Sequence, residues 1–350
     1  MTVLASGRVL LFVTASLGMV LAAASANAQS VEDFYSGKRI RFIVGSNPGG
    51  AYDAFARVMV PYLRKYIPGH PTFVIENRRG GGGLYASNHL YNAVPKDGSV
   101  IGLVERGSVV DPVFNANGNS FFDSRKFNWL GSPSQEVGLG LVRQPSPIKT
   151  MADFRKYGLI VSSSTRSSLS SIYPRLFNGM FGTRFKVVEG YKSATEALIA
   201  LDRGEVEGHI APASSGVLRA QISPWIESGR AKVVMQIGFK KDPAYPDAEM
   251  ITDFAETAED KALFRLMFAQ LAMAYPLVAP PEVPGDRVEA LRKAFDSTVI
   301  DPDFLAAAGK WKLQVNPVSG VQIHELLDRI YETPSDVIDR YRQLTADSAK

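Results

Sequence analysis

The sequence has no cysteine among its 350 residues. That excludes disulfide frameworks, thiolate metal sites and cysteine nucleophiles. Histidine is scarce. His70, His89, His209 and His324 are too scattered for a local His-x-x-x-His metal pair, and neither a metal nor a cofactor is expected. A large excess of one charge is also missing. There are 39 Lys and Arg against 35 Asp and Glu, a formal net charge of +4. That excess is too small to point to nucleic acid as a partner. Gly-x-Gly-x-x-Gly and Gly-x-x-x-x-Gly-Lys-Ser/Thr are both absent, so nucleotide binding has little support. No serine sits in a Gly-x-Ser-x-Gly elbow.

Long apolar runs are confined to the first 28 residues. Arg8 precedes an apolar stretch from Val9 to Ala24, and Ala26-Asn27-Ala28 fits the small-x-small cleavage rule. The stretch is about 16 residues long, short of the ~20 that a spanning helix needs. Residues 1–28 are therefore expected to be a signal peptide, cut after Ala28. The mature chain is expected to be soluble and to lie outside the cytoplasm.

From Gln29 onward, strand and helix patterns alternate. Arg39–Val44, Thr72–Glu76 and Val100–Val104 read as strands, and the segments between them carry helical spacing. Pro61 is expected to kink its helix or to start a second one. Leu159–Val161, Phe185–Val188, Val206–Ile210 and Lys232–Ile237 repeat the alternation, and Ser193-x-x-Glu196 is a capping box. Parallel pairing through right-handed crossovers follows. The expected architecture is α/β with two lobes. Each lobe would be a mainly parallel sheet flanked by helices, with a cleft between the lobes. Residues 29–137 plus 242–350 are assigned to lobe 1 and 138–241 to lobe 2. Glu136–Val142 is the expected outgoing strand, with the return near Gly238–Tyr245.

Two strand-to-helix turns carry chemistry. The first is Gly45-Ser46-Asn47-Pro48-Gly49-Gly50-Ala51-Tyr52-Asp53. Glycine lets the backbone approach a ligand, and a helix start offers free N–H groups and a partial positive charge. Such a place favours an anion. The bland alternative is a plain turn capped by Asp53. The second is Ser162-Ser163-Ser164-Thr165-Arg166-Ser167-Ser168, rich in hydroxyl donors, with Arg166 able to meet a carboxylate. Its bland alternative is a self-capping loop in water. Each turn lies at the end of a strand where open α/β sheets bind ligands. His209 reads as a core or cleft-rim residue.

The order of several short segments is similar to that of a known family. Pro48-Gly49-Gly50-Ala51-Tyr52-Asp53-Ala54-Phe55-Ala56-Arg57, Val74-Ile75-Glu76-Asn77-Arg78 and Pro95-Lys96-Asp97-Gly98 come first. Gly190-Tyr191-Lys192-Ser193, Asp202-Arg203-Gly204-Glu205-Val206-Glu207-Gly208 and Asp301-Pro302 follow. Together they resemble the solute-binding receptors of tripartite tricarboxylate transporters, the Bug or TctC-like proteins. The resemblance implies a type II periplasmic-binding-protein fold, a periplasmic location and no enzymatic activity. It also implies a small organic carboxylate as ligand, inner-membrane transporter subunits as partners, and a monomer. Carried over by position, the ligand site would comprise Pro48, Gly49, Gly50, Ala51, Tyr52 and Asp53 facing Ser163, Ser164, Thr165, Arg166, Ser167 and Ser168. The strand-end segments Arg106-Gly107-Ser108 and Ala211–Ser215, Ala213 among them, would line the cleft, Tyr52 would pack on the ligand and Arg166 would meet a second acidic group. Two other readings stay open: an exported serine hydrolase, and a ligand sensor for a membrane signalling partner.

Overall fold

Arg39–Val44 (β1) shows how the sequence builds a layer. Ile40, Phe42 and Val44 bury in one core and Ile43 in another, as the two-residue period of a strand requires. A strand buried on both faces needs helices on both sides. The computed structural model describes residues 29–115, 118–166, 168–212 and 216–345; the expected signal peptide lies outside them.

β1 is followed by β2 (Thr72–Asn77), β3 (Val100–Leu103) and β4 (Asn128–Ser132). With β11 (Leu277–Ala279) and β12 (Val318–Ser319) they form a six-stranded sheet in the order β12-β4-β11-β3-β1-β2. The second sheet holds β5 (Gly138–Arg143), β6 (Leu159–Ser162), β7 (Phe185–Val188), β8 (Gly208–Pro212), β9 (Ala231–Ile237) and β10 (Glu249–Met250), in the order β10-β9-β5-β8-β6-β7. The fold is a two-lobed α/β architecture, as expected. The sheets are mixed, however. β2-β1-β3 and β7-β6-β8 are parallel, while β11, β4 and β12, and likewise β5, pair antiparallel with their neighbours. Strands β4 and β5 carry the chain from one sheet to the other without a crossover helix, so nothing forces them to be parallel.

Helix α1 (Val31–Tyr35) precedes β1, and α2 (Ala51–Tyr66) follows it. α2 runs unbroken through Pro61. Both Pro61 and Arg57 are exposed, so the Arg57 carbonyl that loses its partner faces water and the helix tolerates the ring. Helices α3 (Leu84–Asn92) and α4 (Arg106–Phe114) complete this segment, and α5 (Met151–Lys156), α6 (Leu169–Phe181), α7 (Ala194–Arg203) and α8 (Gly216–Glu227) flank the second sheet. The expected capping box is only half formed: the Ser193 hydroxyl accepts from Glu196 N, but the Glu196 carboxylate accepts from Lys192 N, one residue ahead of the cap, in place of Ser193 N.

Sheet two extends past residue 241. The segment expected to carry the return is folded onto it instead, because the buried Gln236 amide binds the backbone of Asp242 and Tyr245, and β10 then pairs with β9. The chain regains the first sheet through α9 (Ala258–Ala272) and β11. α9 is apolar on two faces. Leu263, Phe264, Met267, Phe268 and Leu271 bury in the second sheet's core, and Leu266 and Ala269 in the first's. Helices α10 (Gly285–Ile300), α11 (Pro302–Lys310), α12 (Gly320–Tyr331) and α13 (Ser335–Thr345) close the described chain. α13 places Val337 in the second sheet's core.

Candidate functional site

The first corner is held by one carboxylate. Asp53, in the first turn of α2, is buried. It accepts from Gly49 N at 2.9 Å, Asn77 Nδ2 at 3.0 Å and Arg57 Nε at 2.8 Å. The Arg57 hydrogen bond first, then those from Gly49 and Asn77, hold its carboxyl below the usual range despite burial. With Asp53 engaged there, no side chain caps α2 at Gly50. The first-turn amides of α2 have no intrahelical acceptor, and Gly49, Gly50 and Ala51 face a cavity of about 420 Å³.

That cavity lies between the lobes. Across from the corner stand Ala194 and Thr195, the first residues of α7, with Leu218 of α8. Phe55, Tyr275, Trp311 and Leu313 give it an apolar wall, and Glu136, Lys312 and Gln314 also border it. Tyr52 does not line it. Its hydroxyl donates to Ala274 O at 3.0 Å and accepts from Arg106 N at 3.1 Å, and its ring meets Tyr275 edge-on at 4.9 Å. Tyr52 thus pins α2 to α4 behind the cavity wall, where the sequence led us to expect it against a ligand.

The second corner borders a smaller chamber of about 190 Å³. Ser164, Ser168 and Ser170 line it, together with Arg106, Ala194, His209, Ala211 and Pro212. Ala194 borders both chambers. The two corners therefore open on adjoining spaces, with the start of α7 as their shared wall. The hydroxyls of Ser163, Ser168 and Ser170 bond one another at 2.8–2.9 Å. Ser163 is wholly buried and Ser168 also bonds Thr165 O, so this loop's shape comes from hydroxyl chemistry.

The cation of the small chamber is Arg106, at the start of α4. Its guanidinium meets Glu136 at 2.5 Å, and Glu136 accepts in turn from the Tyr275 hydroxyl at 3.2 Å. Burial opposes the arginine charge, but Glu136 and the surrounding hydroxyls outweigh it and keep Arg106 protonated. Arg106 faces one chamber and Glu136 the other, so the ion pair stands between them. The segment Arg106-Gly107-Ser108 was expected at the cleft: Arg106 borders the small chamber, whereas the Ser108 hydroxyl is buried, bonded to Ser87 and to Glu105 O. Arg166 is exposed and lines neither chamber. Its charge acts on Glu189, whose carboxyl is held low against its burial by Ser171, Arg175 and Arg166. Thr165 is exposed too, and Pro48 lies on the exposed turn without lining either chamber. Ser167 and Ala213 lie outside the described residues, though Ala211 and Pro212 reach the small chamber.

His209 on β8 is 2% exposed. Its Nδ1 lies 2.9 Å from Ser162 Oγ, and its Nε2 has no partner among the described residues. Burial pushes the imidazole down to about 4, so it is neutral at pH 7. The pair looks like a nucleophile and its base, but among the described residues Ser162 borders neither chamber and no carboxylate orients the imidazole, whereas a serine hydrolase needs an accessible serine and an oriented base. Among the described residues no cluster of His, Asp or Glu could hold a metal ion. The sequence reading missed Phe55, Glu136, Tyr275 and the 311–314 segment. The last two come from the C-terminal third, where no motif points to a ligand.

A cleft between two α/β lobes, bordered by strand-end turns of both, defines a solute-binding receptor architecture. The family profile described as tripartite tricarboxylate transporter family receptor, TctC, matches residues 56–339, and the chain belongs to that family. A TctC solute-binding protein from Polaromonas superposes with a TM-score of 0.70 at 15% identity, covering 88% of this chain and 99% of that one. MatC from Rhodopseudomonas palustris, with bound malate, gives 0.56 at 19% identity over 88% and 99%. A second R. palustris protein, with adipate, gives 0.58 at 18% identity over 87% and 97%. In sequence, the chain is 34% identical over 102 residues to a UPF0065 protein from the tcbD-tcbE intergenic region of Pseudomonas sp. strain P51, which is 29% of each chain.

Proposed function

We propose that this receptor captures a small organic carboxylate between its lobes, in the periplasm, and delivers it to a tripartite tricarboxylate-type membrane transporter. The observation that carries the reading is Arg106. It is a half-buried guanidinium with one nitrogen on Glu136, bordering a chamber edged by Ser164, Ser168 and Ser170. A carboxylate there gains charge-assisted hydrogen bonds. The free amides at the starts of α2 and α7 add partial positive charge. Malate and adipate in two structural relatives support the ligand class. The mechanism is closure: a ligand that touches both lobes only in the closed state shifts the population toward it. Residues 29–137 with 242–350, which bring Tyr275 and the 311–314 segment, face residues 138–241 across the cleft, with a single copy of the chain sufficient.

A thermal-shift screen of aliphatic and aromatic carboxylates tests this, because a ligand that binds only the folded state raises its melting temperature. A micromolar binder is expected. Arg106→Gln should then weaken it by about 2 kcal/mol or more, with Glu136→Gln as the folding control. A panel with no binder sinks the receptor reading, and an unchanged affinity in Arg106→Gln removes the arginine from the site.

A further inference from the structure

The two chambers are chemically unlike, and this difference bears on the ligand's other end. Resting on the carboxylate-receptor reading, we infer that the preferred ligand is a monocarboxylate with a compact apolar body, an aryl-alkyl or medium-chain acid. A dicarboxylate fits the larger chamber poorly. The anion sits at the junction by Ala194, which both chambers share, with Arg106, Ser164 and Ser168 on the small chamber's side and the first-turn amides of α2 on the other. The body then extends into the 420 Å³ chamber, a volume suited to a small ligand.

Six observations favour an apolar body there. Phe55 and Tyr275 pack with ring centroids 4.3 Å apart and planes tilted by 43°, and form one apolar side of the chamber. Leu218 and Leu313 close the other sides. The one wall hydroxyl of that ring pair, on Tyr275, is already committed to Glu136. Glu136 itself borders the chamber with its carboxylate nine-tenths buried, so a second ligand carboxylate would lie beside a like charge in a poorly solvated space. Among the described residues Lys312 is the only cation bordering this chamber, and it is exposed, where water and salt screen its attraction. Trp311, 57% exposed, stands beside it and offers a ring for an apolar body to cover.

Hexanoate and adipate separate the possibilities. They share six carbons and differ only in whether the far end is a methyl or a carboxylate. Isothermal titration of the mature chain should show hexanoate or 3-phenylpropionate binding at least tenfold tighter than adipate or malate. Adipate binding as tightly as hexanoate, or tighter, overturns the inference and leaves the receptor reading standing. Failure of every carboxylate overturns both. A second measurement reads the body's position directly. Trp129 and Trp225 are buried, so 3-phenylpropionate should blue-shift the emission of Trp311, and Trp311→Phe should abolish the shift while the protein stays folded. Tight binding of 3-phenylpropionate with unchanged tryptophan emission places the body elsewhere and overturns the assignment of this chamber.

Discussion

The two corners are topological equivalents built by opposite means. β1 is the middle of β2-β1-β3, and β6 is the middle of β7-β6-β8; each runs into a turn and then a helix. The first turn is shaped by glycine backbone and a single carboxylate, Asp53, which takes the Gly49 amide and leaves the first-turn amides of α2 without a side-chain cap. The second is shaped by serine hydroxyls that bond one another and the Thr165 carbonyl. A serine hydroxyl has one proton to donate, and here much of that capacity is spent inside the loop. Serine content therefore does not measure the donors left for a ligand. The second corner takes its cation from the other lobe, through Arg106.

If the first corner hangs on one residue and the second on a mesh, deletions should be unequal. Asp53→Ala leaves the Gly49 amide, the Asn77 amide and Arg57 without their partner. Removing one member of a buried, charge-assisted set costs about 3 kcal/mol or slightly more. Ser163→Ala removes one hydroxyl from a set whose other members can re-pair, at about 1 kcal/mol. Urea denaturation of both variants measures the difference. Equal losses would break the contrast. Acid gives a check on sign: the Asp53 carboxyl is depressed in the fold, so its contribution is present above the unfolded carboxylate value. It fades as pH falls through the lower folded one.

pH separates the corners further. His209 lines the second corner's chamber and is held neutral, at about 4 against an unfolded value of 6.5. Between those values the unfolded chain binds a proton that the folded chain does not, so stability rises with pH across this window and is lost as pH falls. The full effect is about 3 kcal/mol. His89 is also depressed, by its burial and then by Arg78, so the test is a difference. The stability profile of His209→Gln from pH 4 to 7 should be flatter than that of the parent. Parallel profiles would show that His209 titrates normally and is reached by water.

These contrasts also show what the sequence could tell. The turn at 45–53 was legible because glycines, a helix start and a capping aspartate announce themselves locally. So was the serine loop's place at a strand end. Arg106 was legible only as part of a strand-end segment, and Arg166 read as the ligand's cation because it stands among serines; only packing decides which guanidinium borders a chamber. Tyr52 read as a ligand contact because its hydroxyl's partners, Ala274 O and Arg106 N, lie 222 and 54 residues away. β11 and β12, with three and two residues, are too short to carry a period. The return through α9 was hidden because a helix shared by two cores is apolar on both sides and shows no single stripe.

The smallest expected effect tests how the first corner is shaped. Gly49 has φ +80°, where a Cβ costs about 1 kcal/mol even in open space, and nothing lies within 4 Å of that Cβ. Gly50 has φ −80°, and its Cβ would meet only Asn47 O at 3.5 Å. Gly49→Ala should therefore lower stability by about 1 kcal/mol and Gly50→Ala by only a few tenths. The two also differ in how they touch the site. The Gly49 amide is bound to Asp53, so moving it shifts the whole turn, whereas a methyl on Gly50 only narrows the cavity that it borders. Ligand affinity should fall in Gly50→Ala with little change in melting, and melting should fall in Gly49→Ala. If Gly50→Ala instead destabilises the protein and Gly49→Ala does not, the backbone rather than Asp53 sets the turn, and the contrast between the corners loses its basis.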